Sequence, residues 1–166
     1  KETGAMHTIK APMSVTRFFV AENKIWLTGW GDELCTQENK PDAVIEPIGG
    51  FNDELTSVAD VNRNLLLVGS RSSGLFLINK NTKQISSFRK NVLEQSSLPS
   101  NRVSCLYKDS RGIIWVGTLK GLAKYDVRTW LFTESEVTDV QFDGATLYTH
   151  RFNDGSVAVN TSKGMF

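Results

Sequence analysis

The chain has 166 residues, of which 40% are hydrophobic, and its 19 basic and 18 acidic side chains leave a net charge of +1. That length suits one domain or part of one, and the composition is sufficient for a packed core. With this balance of charge nothing in the sequence makes a phosphate-binding stripe, so nucleic acid is not expected as a partner. No apolar run reaches the ~18 residues of a transmembrane helix, and no signal peptide occurs. If the parent protein is exported and membrane-anchored, both signals lie outside this segment.

Residues 1–13 show no periodicity and contain Gly4-Ala5-Met6, which is typical of cloning vectors. We therefore predict a leader or vector-derived segment there. The first group of predicted strands follows, because β-branched and aromatic residues recur between turn residues. These strands are Val15–Val20, Lys24–Thr28 and Leu34–Thr36, with Ala43–Ile45 as an outer strand.

A second group starts at Leu55, and its strands are bounded by Asn-rich and Gly-containing turns. The strands are Leu55–Asp60, Leu65–Ser70, Gly74–Asn79 and Lys83–Phe88. The third group is the clearest: Val103–Lys108, a turn in which Gly112 supplies the positive φ, Ile113–Thr118 and Leu122–Tyr125. Its second strand is almost wholly apolar, which predicts that both of its faces are covered.

The fourth region allows two interpretations. Val137–Phe142 and Thr146–Phe152 can form an inner hairpin, with Val157–Val159 as a third strand. Alternatively, Leu147–Phe152 is the innermost strand and Val157–Thr161 the second. We favour the alternative because it aligns residues 162–166 with the third group, and Val137–Phe142 then extends the preceding group.

The groups recur with a period of roughly 40–50 residues, which is typical of propeller blades. We predict an all-β fold, a partial β-propeller over residues 14–166 with three to four blades of four-stranded antiparallel sheets. The predicted repeats span approximately 14–54, 55–101, 102–145 and 146–166, and the last is incomplete. An open ring exposes two sheet edges, so the chain is expected to be part of a larger propeller.

Three motifs make the repeat specific: Leu98–Val103, Asp109–Thr118 and Gly121-Leu122. They resemble the two-component regulator propeller repeat. The resemblance implies a seven-bladed propeller in the periplasmic sensor region of an inner-membrane hybrid two-component system. In such proteins a histidine kinase and a response regulator share one polypeptide, so no catalysis is expected in this region itself.

The aromatic and sulfur-containing residues are mostly expected in the core. Trp115 and Trp26 lie within strands, which favours burial between blades over sugar stacking. Trp30 instead lies in a loop and is a candidate for stacking on a sugar. Cys35 and Cys105 fall in different repeats, and we favour two unbridged, buried thiols over a disulfide.

In an up-and-down propeller, the loops after each second strand and the connections into each innermost strand emerge on one face. Because such loops are free of packing constraints, we predict that this face binds a ligand. The predicted ligand-binding residues are Trp30, Asp32, Arg71, Arg102 and Lys120. No nucleophile motif, metal-ligand spacing or phosphate loop occurs, so we predict no catalytic residue, no metal and no cofactor.

The favoured function is ligand sensing by an extracytoplasmic propeller, in which carbohydrate fragments regulate the genes for their use. The partners expected from the resemblance are an oligosaccharide or another small polar ligand and neighbouring parts of the same polypeptide, and homodimerisation stays open. A protein-interaction scaffold is the alternative, and a propeller lyase or glycosidase is disfavoured because no acid/base pair is visible.

Overall fold

The computed structural model of the protein describes residues 11–21, 23–29, 32–40, 42–94, 96–127, 131–134, 146–151, 157–161 and 164–165. Beyond residue 127 the strands are placed, but almost no side chain is described. Within these ranges every regular element is a β-strand, and no helix that could cross a membrane occurs.

The strands form four antiparallel sheets, each built in chain order. The first sheet contains β1 (Val15–Ala21), β2 (Lys24–Gly29), β3 (Leu34–Glu38) and β4 (Glu46–Ile48). The second contains β5 (Leu55–Asn62), β6 (Leu65–Ser70), β7 (Leu75–Asn79) and β8 (Ile85–Phe88). The third contains β9 (Val103–Lys108), β10 (Ile114–Thr118), β11 (Gly121–Asp126) and β12 (Leu131–Glu134). The fourth contains β13 (Thr146–Arg151), β14 (Val157–Thr161) and β15 (Gly164–Met165).

The pairing register is the same in all four sheets. One residue near the end of each second strand lies opposite an equivalent residue of the third strand. These pairs are Thr28 with Leu34, Gly69 with Leu75, Gly117 with Leu122, and Asn160 with Met165. The predicted all-β propeller architecture and the favoured register of the fourth region are confirmed, and residues 137–142 lie outside the described ranges.

The core lies between the sheets, as the apolar second strands predict. In β6, Leu66 and Val68 pack in the cluster shared with the first sheet, whereas Leu67 packs in the cluster shared with the third. Trp26 belongs to the first of these clusters, and Ile114 belongs to the second. A strand buried on both faces explains why its sequence shows no alternation.

The outer strand of the first sheet departs from the expectation. Ala43–Ile45 is not a strand, and the chain pairs three residues later, through β4. Pro47 lies within β4, which among the described strands pairs with β3 alone. An edge strand tolerates a proline because no ladder hydrogen bond is required from its nitrogen.

Trp115 is a second correction, because the structure leaves its side chain partly exposed instead of buried. Its indole Nε1 donates to Asp109 Oδ2 at 3.3 Å, and Lys124 Nζ lies 4.8 Å from the ring centroid. Asp109 also accepts a hydrogen bond from the Ile113 amide at 3.0 Å. Through its hydrogen bond to Asp109, Trp115 therefore helps to fix the turn between β9 and β10.

The two cysteines form no disulfide, as expected. Cys35 is buried, and burial together with the nearby Glu33 carboxylate raises the pKa of its thiol. Cys105 is only partly buried, so the expectation of two buried thiols is wrong for this residue.

Candidate functional site

The predicted site is built from the loops that join second and third strands. Its described parts are residues 32–33, 71–74 and 119–120, together with the segment Asn101-Arg102 that leads into β9. We call this surface the loop face. Because the strands alternate in direction within every sheet, these loops all leave at the same end of equivalent strands.

The loop of the second sheet is held by acidic side chains. Asp53 Oδ2 accepts hydrogen bonds from the amides of Ser72 at 2.7 Å and Ser73 at 2.6 Å. Burial opposes ionisation of this carboxylate, but the hydrogen bonds outweigh burial and hold the pKa of Asp53 below its ordinary value. The carboxylate thus acts as a structural anchor for the turn.

Arg71 lies in the same loop and is already paired. Its Nη1 is 2.6 Å from Glu54 Oε2, and its amide donates to the Glu54 carbonyl at 2.9 Å. The side chain is 55% exposed. Arg71 is therefore on the predicted face, but part of its charge is engaged by the fold.

The loop of the third sheet connects to the second through the backbone. The Leu119 amide donates to the Arg102 carbonyl at 3.0 Å, and the Gly74 amide donates to the Asn101 carbonyl at 2.8 Å. Asn101-Arg102 therefore bridges the two loops and brings Arg71, Arg102 and Lys120 to one surface. Arg102 and Lys120 are exposed, and within the described part of the chain neither cation forms an ion pair.

The remaining predicted residues belong to the first sheet. Asp32 is exposed and follows β2, at the equivalent end of its sheet. No hydrogen bond or ion pair among the described residues joins it to the other three. Trp30 lies outside the described residues, so its role stays a prediction.

The prediction did not include Asp53 and Glu54 in this site. Both precede β5, in the connection into an innermost strand, which is a position already expected on this face. Their position just before β5 is therefore the sequence feature that could have identified them as part of this face. The side chains described here contain no cluster of three metal-ligating groups, and neither histidine side chain is among them.

Comparison with known proteins gives a family for one repeat. Residues 97–120 match the family described as two component regulator propeller. The chain thus carries a repeat of this family, which confirms the resemblance seen in its sequence. A search of curated proteins finds no match.

Solved structures share the fold at low sequence identity. One is the extracellular domain of a hybrid two-component system from B. thetaiotaomicron, with 19% identity, a TM-score of 0.68, and coverage of 92% of this chain and 22% of that one. Another, from a one-component system of the same organism, has 18% identity, a TM-score of 0.75, and coverage of 97% and 22%.

Virginiamycin B lyase from Staphylococcus aureus also matches, with 10% identity, a TM-score of 0.68, and coverage of 95% and 57%. At such identities the likeness concerns the propeller fold alone. The chain spans about a fifth of the two extracellular domains, as their coverage of 22% indicates.

Proposed function

We propose that this region is an extracytoplasmic ligand-sensing segment of a hybrid two-component sensor histidine kinase. The expected location is the periplasm, in the sensor region of an inner-membrane protein. The proposed ligands are carbohydrate fragments, and the proposed output is regulation of the genes for their use. Support comes from the regulator propeller repeat at residues 97–120 and from the fold that the chain shares with extracellular domains of such systems.

The observation that carries the ligand-binding part is the pair of exposed cations at the bridge between two loops. Arg102 and Lys120 have no ion-pair partner among the described residues, and both belong to segments joined by the hydrogen bond from Leu119 to Arg102. A polar ligand that contacts both would lie on the third sheet, beside the hydrogen bond from the Gly74 amide to the Asn101 carbonyl that joins this sheet to the loop of the second. Differential binding of this kind shifts the population of two packings, which is a route for the signal.

Calorimetric titration with a panel of defined oligosaccharides tests the proposal. Lys120→Ala and Arg102→Ala should each weaken binding by roughly 0.5–1.5 kcal/mol, the usual value of one hydrogen-bonded contact. Trp30→Ala should weaken it by roughly 1–2 kcal/mol if the ring stacks on the sugar. Arg63→Ala is the matched control, because Arg63 is an exposed cation in the turn at the opposite end of the second sheet.

Three results would decide against the proposal. Equal affinity in the loop-face variants and in Arg63→Ala would exclude the loop face as the binding site. Failure to bind any saccharide, with the protein folded, would favour the interaction-scaffold alternative. Turnover of a saccharide by the protein would favour an enzyme of the lyase or glycosidase type.

A further inference from the structure

The connection between the second and third sheets is longer than the connection between the first and second. Residues 89–102 join β8 to β9, whereas residues 49–54 join β4 to β5. Each connection buries one large apolar side chain just before the next sheet: Phe51 is 4% exposed and Leu98 is 1% exposed. The longer connection therefore has residues to spare after this shared task, and residues 91–94, which we call the tip, are among them.

The tip presents two adjacent aliphatic side chains to solvent. Val92 is 85% exposed and Leu93 is 91% exposed, the highest fractions of any large hydrophobic side chain that the structure describes. Neither belongs to a core cluster of the described residues. Single exposed apolar residues are ordinary, but an adjacent pair at nearly full exposure in a polar loop indicates a contact surface.

The backbone of the tip is already hydrogen-bonded within its own loop. The Leu93 amide donates to Asn91 Oδ1 at 3.1 Å, and the Glu94 amide donates to the Asn91 carbonyl at 3.2 Å. The Asn91 amide donates to Ser97 Oγ at 3.0 Å, and this hydroxyl donates to the Asn91 carbonyl at 2.7 Å. Unsatisfied backbone groups are what makes leaving water costly, so these bonds prepare the tip for an apolar environment.

Two cations lie at the base of the tip. Arg89 and Lys90 precede it and are exposed, and within the described part of the chain neither forms an ion pair. The Lys90 amide donates to Asn101 Oδ1 at 2.6 Å, and its Nζ donates to the Pro99 carbonyl at 3.0 Å. Because Asn101 belongs to the loop face, these bonds fix the tip beside that face.

The surroundings of the tip on the second and third sheets are rich in cations that have no ion-pair partner. These are Arg89, Lys90, Arg102 and Lys120. Three carboxylates accompany them: Glu94 is exposed, Glu54 is paired with Arg71, and Asp53 is bound to two backbone amides. Aliphatic side chains beside basic ones are typical of segments that bind the surface of an anionic bilayer.

We infer that the tip inserts Val92 and Leu93 among the headgroups of a membrane that contains anionic lipids, while Arg89 and Lys90 contact the lipid phosphates. A bilayer accepts a protruding aliphatic pair without a matching pocket, whereas protein contacts centre on aromatic or arginine side chains in pockets. Shallow insertion and a few cations are each weak, so the contact needs both. This surface is separate from the predicted saccharide site and goes beyond ligand sensing.

Vesicle flotation tests the inference, with vesicles of phosphatidylethanolamine and phosphatidylglycerol compared with vesicles of phosphatidylcholine alone. The protein should bind the anionic vesicles several-fold more, and binding should fall as salt is raised. Val92→Ser combined with Leu93→Ser should lower the partition coefficient roughly tenfold, because less apolar surface leaves water. The melting temperature should not change, since neither side chain packs in a core cluster.

Matched control variants lie at the opposite end of the sheets. Val44→Ser removes a valine that is 80% exposed in the connection from β3 to β4 and should leave vesicle binding unchanged. Arg89→Gln should weaken binding to the anionic vesicles several-fold, whereas Arg63→Gln, in the turn between β5 and β6, should not.

Four results would overturn the inference. The first is a folded protein that binds no anionic vesicle. The second is an equal loss of binding in Val44→Ser and in the tip variant, and the third is binding that survives the tip variant. The fourth is self-association in lipid-free sedimentation that the tip variant abolishes, which would assign the tip to a protein contact. No saccharide enters the assay, so these results leave the proposed function untouched.

Discussion

The second and third sheets close their loops at the loop face in the same way but use charge differently. In both, a hydroxyl at the end of the second strand donates to a glycine carbonyl: Ser70 to Gly74 at 2.9 Å and Thr118 to Gly121 at 2.8 Å. In the second sheet, Asp53 and Glu54 then anchor the loop through hydrogen bonds and an ion pair. In the third sheet, Lys120 in the loop and Arg102 before β9 have no ion-pair partner among the described residues. Equivalent positions thus share backbone chemistry, while side-chain charge stabilises the fold in one repeat and is available for binding in the next.

The largest expected difference between the two sheets is in the core. Leu67 and Trp115 occupy the same register position, two residues before Gly69 and Gly117. Leu67 is fully buried, whereas Trp115 is partly exposed. Leu67→Ala should lower the free energy of unfolding by about 3–5 kcal/mol and Trp115→Ala by about 1–3 kcal/mol. Chemical denaturation measures both, and a larger loss in Trp115→Ala would show that the indole is a core anchor.

The turn glycines sharpen the comparison. Gly74 has φ +83°, and a Cβ there would lie 2.2 Å from the Phe88 carbonyl oxygen, whereas Gly121 has φ +111° and open space around it. Positive φ alone costs a non-glycine residue about 1–3 kcal/mol. Gly121→Ala should therefore lose that amount of stability, and Gly74→Ala more, because the backbone must also shift. Equal losses in thermal or chemical unfolding would mean that the second-sheet loop can relax.

The anchoring aspartates predict a pH dependence. The pKa of Asp53 in the folded protein lies below its ordinary value, so its stabilisation is present above the unfolded pKa and is lost as pH falls through the folded pKa. Asp53→Asn should lower the free energy of unfolding by roughly 1–2 kcal/mol near neutral pH. The further decrease of that free energy as pH falls should be smaller in the variant, as chemical denaturation at several pH values would show.

Asp109 supplies the internal comparison for this pH effect. It lies in the turn between β9 and β10 of the third sheet, away from the loop face. Burial opposes its ionisation, but bonds from Arg111, Trp115 and Ile113 leave the pKa of Asp109 below its ordinary value. Asp109→Asn should therefore also reduce the loss of folding stability that occurs as pH falls. If both variants lose stability in acid as steeply as the unmodified protein, the anchoring role of the two aspartates is contradicted.

The smallest effects should come from the cations of the loop face. Arg71 is paired with Glu54, but the two side chains are 55% and 31% exposed, so solvent screens the pair. Arg71→Ala should lower stability by less than about 1 kcal/mol, and Lys120→Ala should leave it within about 0.5 kcal/mol. A clear loss of stability in Lys120→Ala would show that this cation serves the fold.

Much of the fold could be predicted from the sequence because the repeats carry local signals. The apolar runs of β6 and β10, the turn at Gly112 and the spacing of Gly69 and Gly117 determine strands and register through near-neighbour chemistry. The burial of Trp115 could not be predicted in the same way. Trp26 has the equivalent position and is buried, so the outcome depends on the neighbouring sheet and not on the local pattern.

The site was less predictable than the fold. Topology alone placed Arg71, Arg102 and Lys120 at one end of the sheets, and the hydrogen bonds through Asn101-Arg102 agree with that placement. The pairing of Arg71 with Glu54 depends on how the connection into β5 folds, and 17 residues separate the two in the chain.

The central claim is that ligand binding occurs at one end of the sheets. Amide chemical shifts measured by NMR during saccharide titration test it most directly, because they report on both ends in one experiment. If the ligand binds at the loop face, the largest changes fall in residues 71–74, 101–102 and 119–120 and in the adjoining starts of β5 and β9. Changes concentrated in residues 63–64, 80–84 and 109–113, at the opposite end, would contradict it.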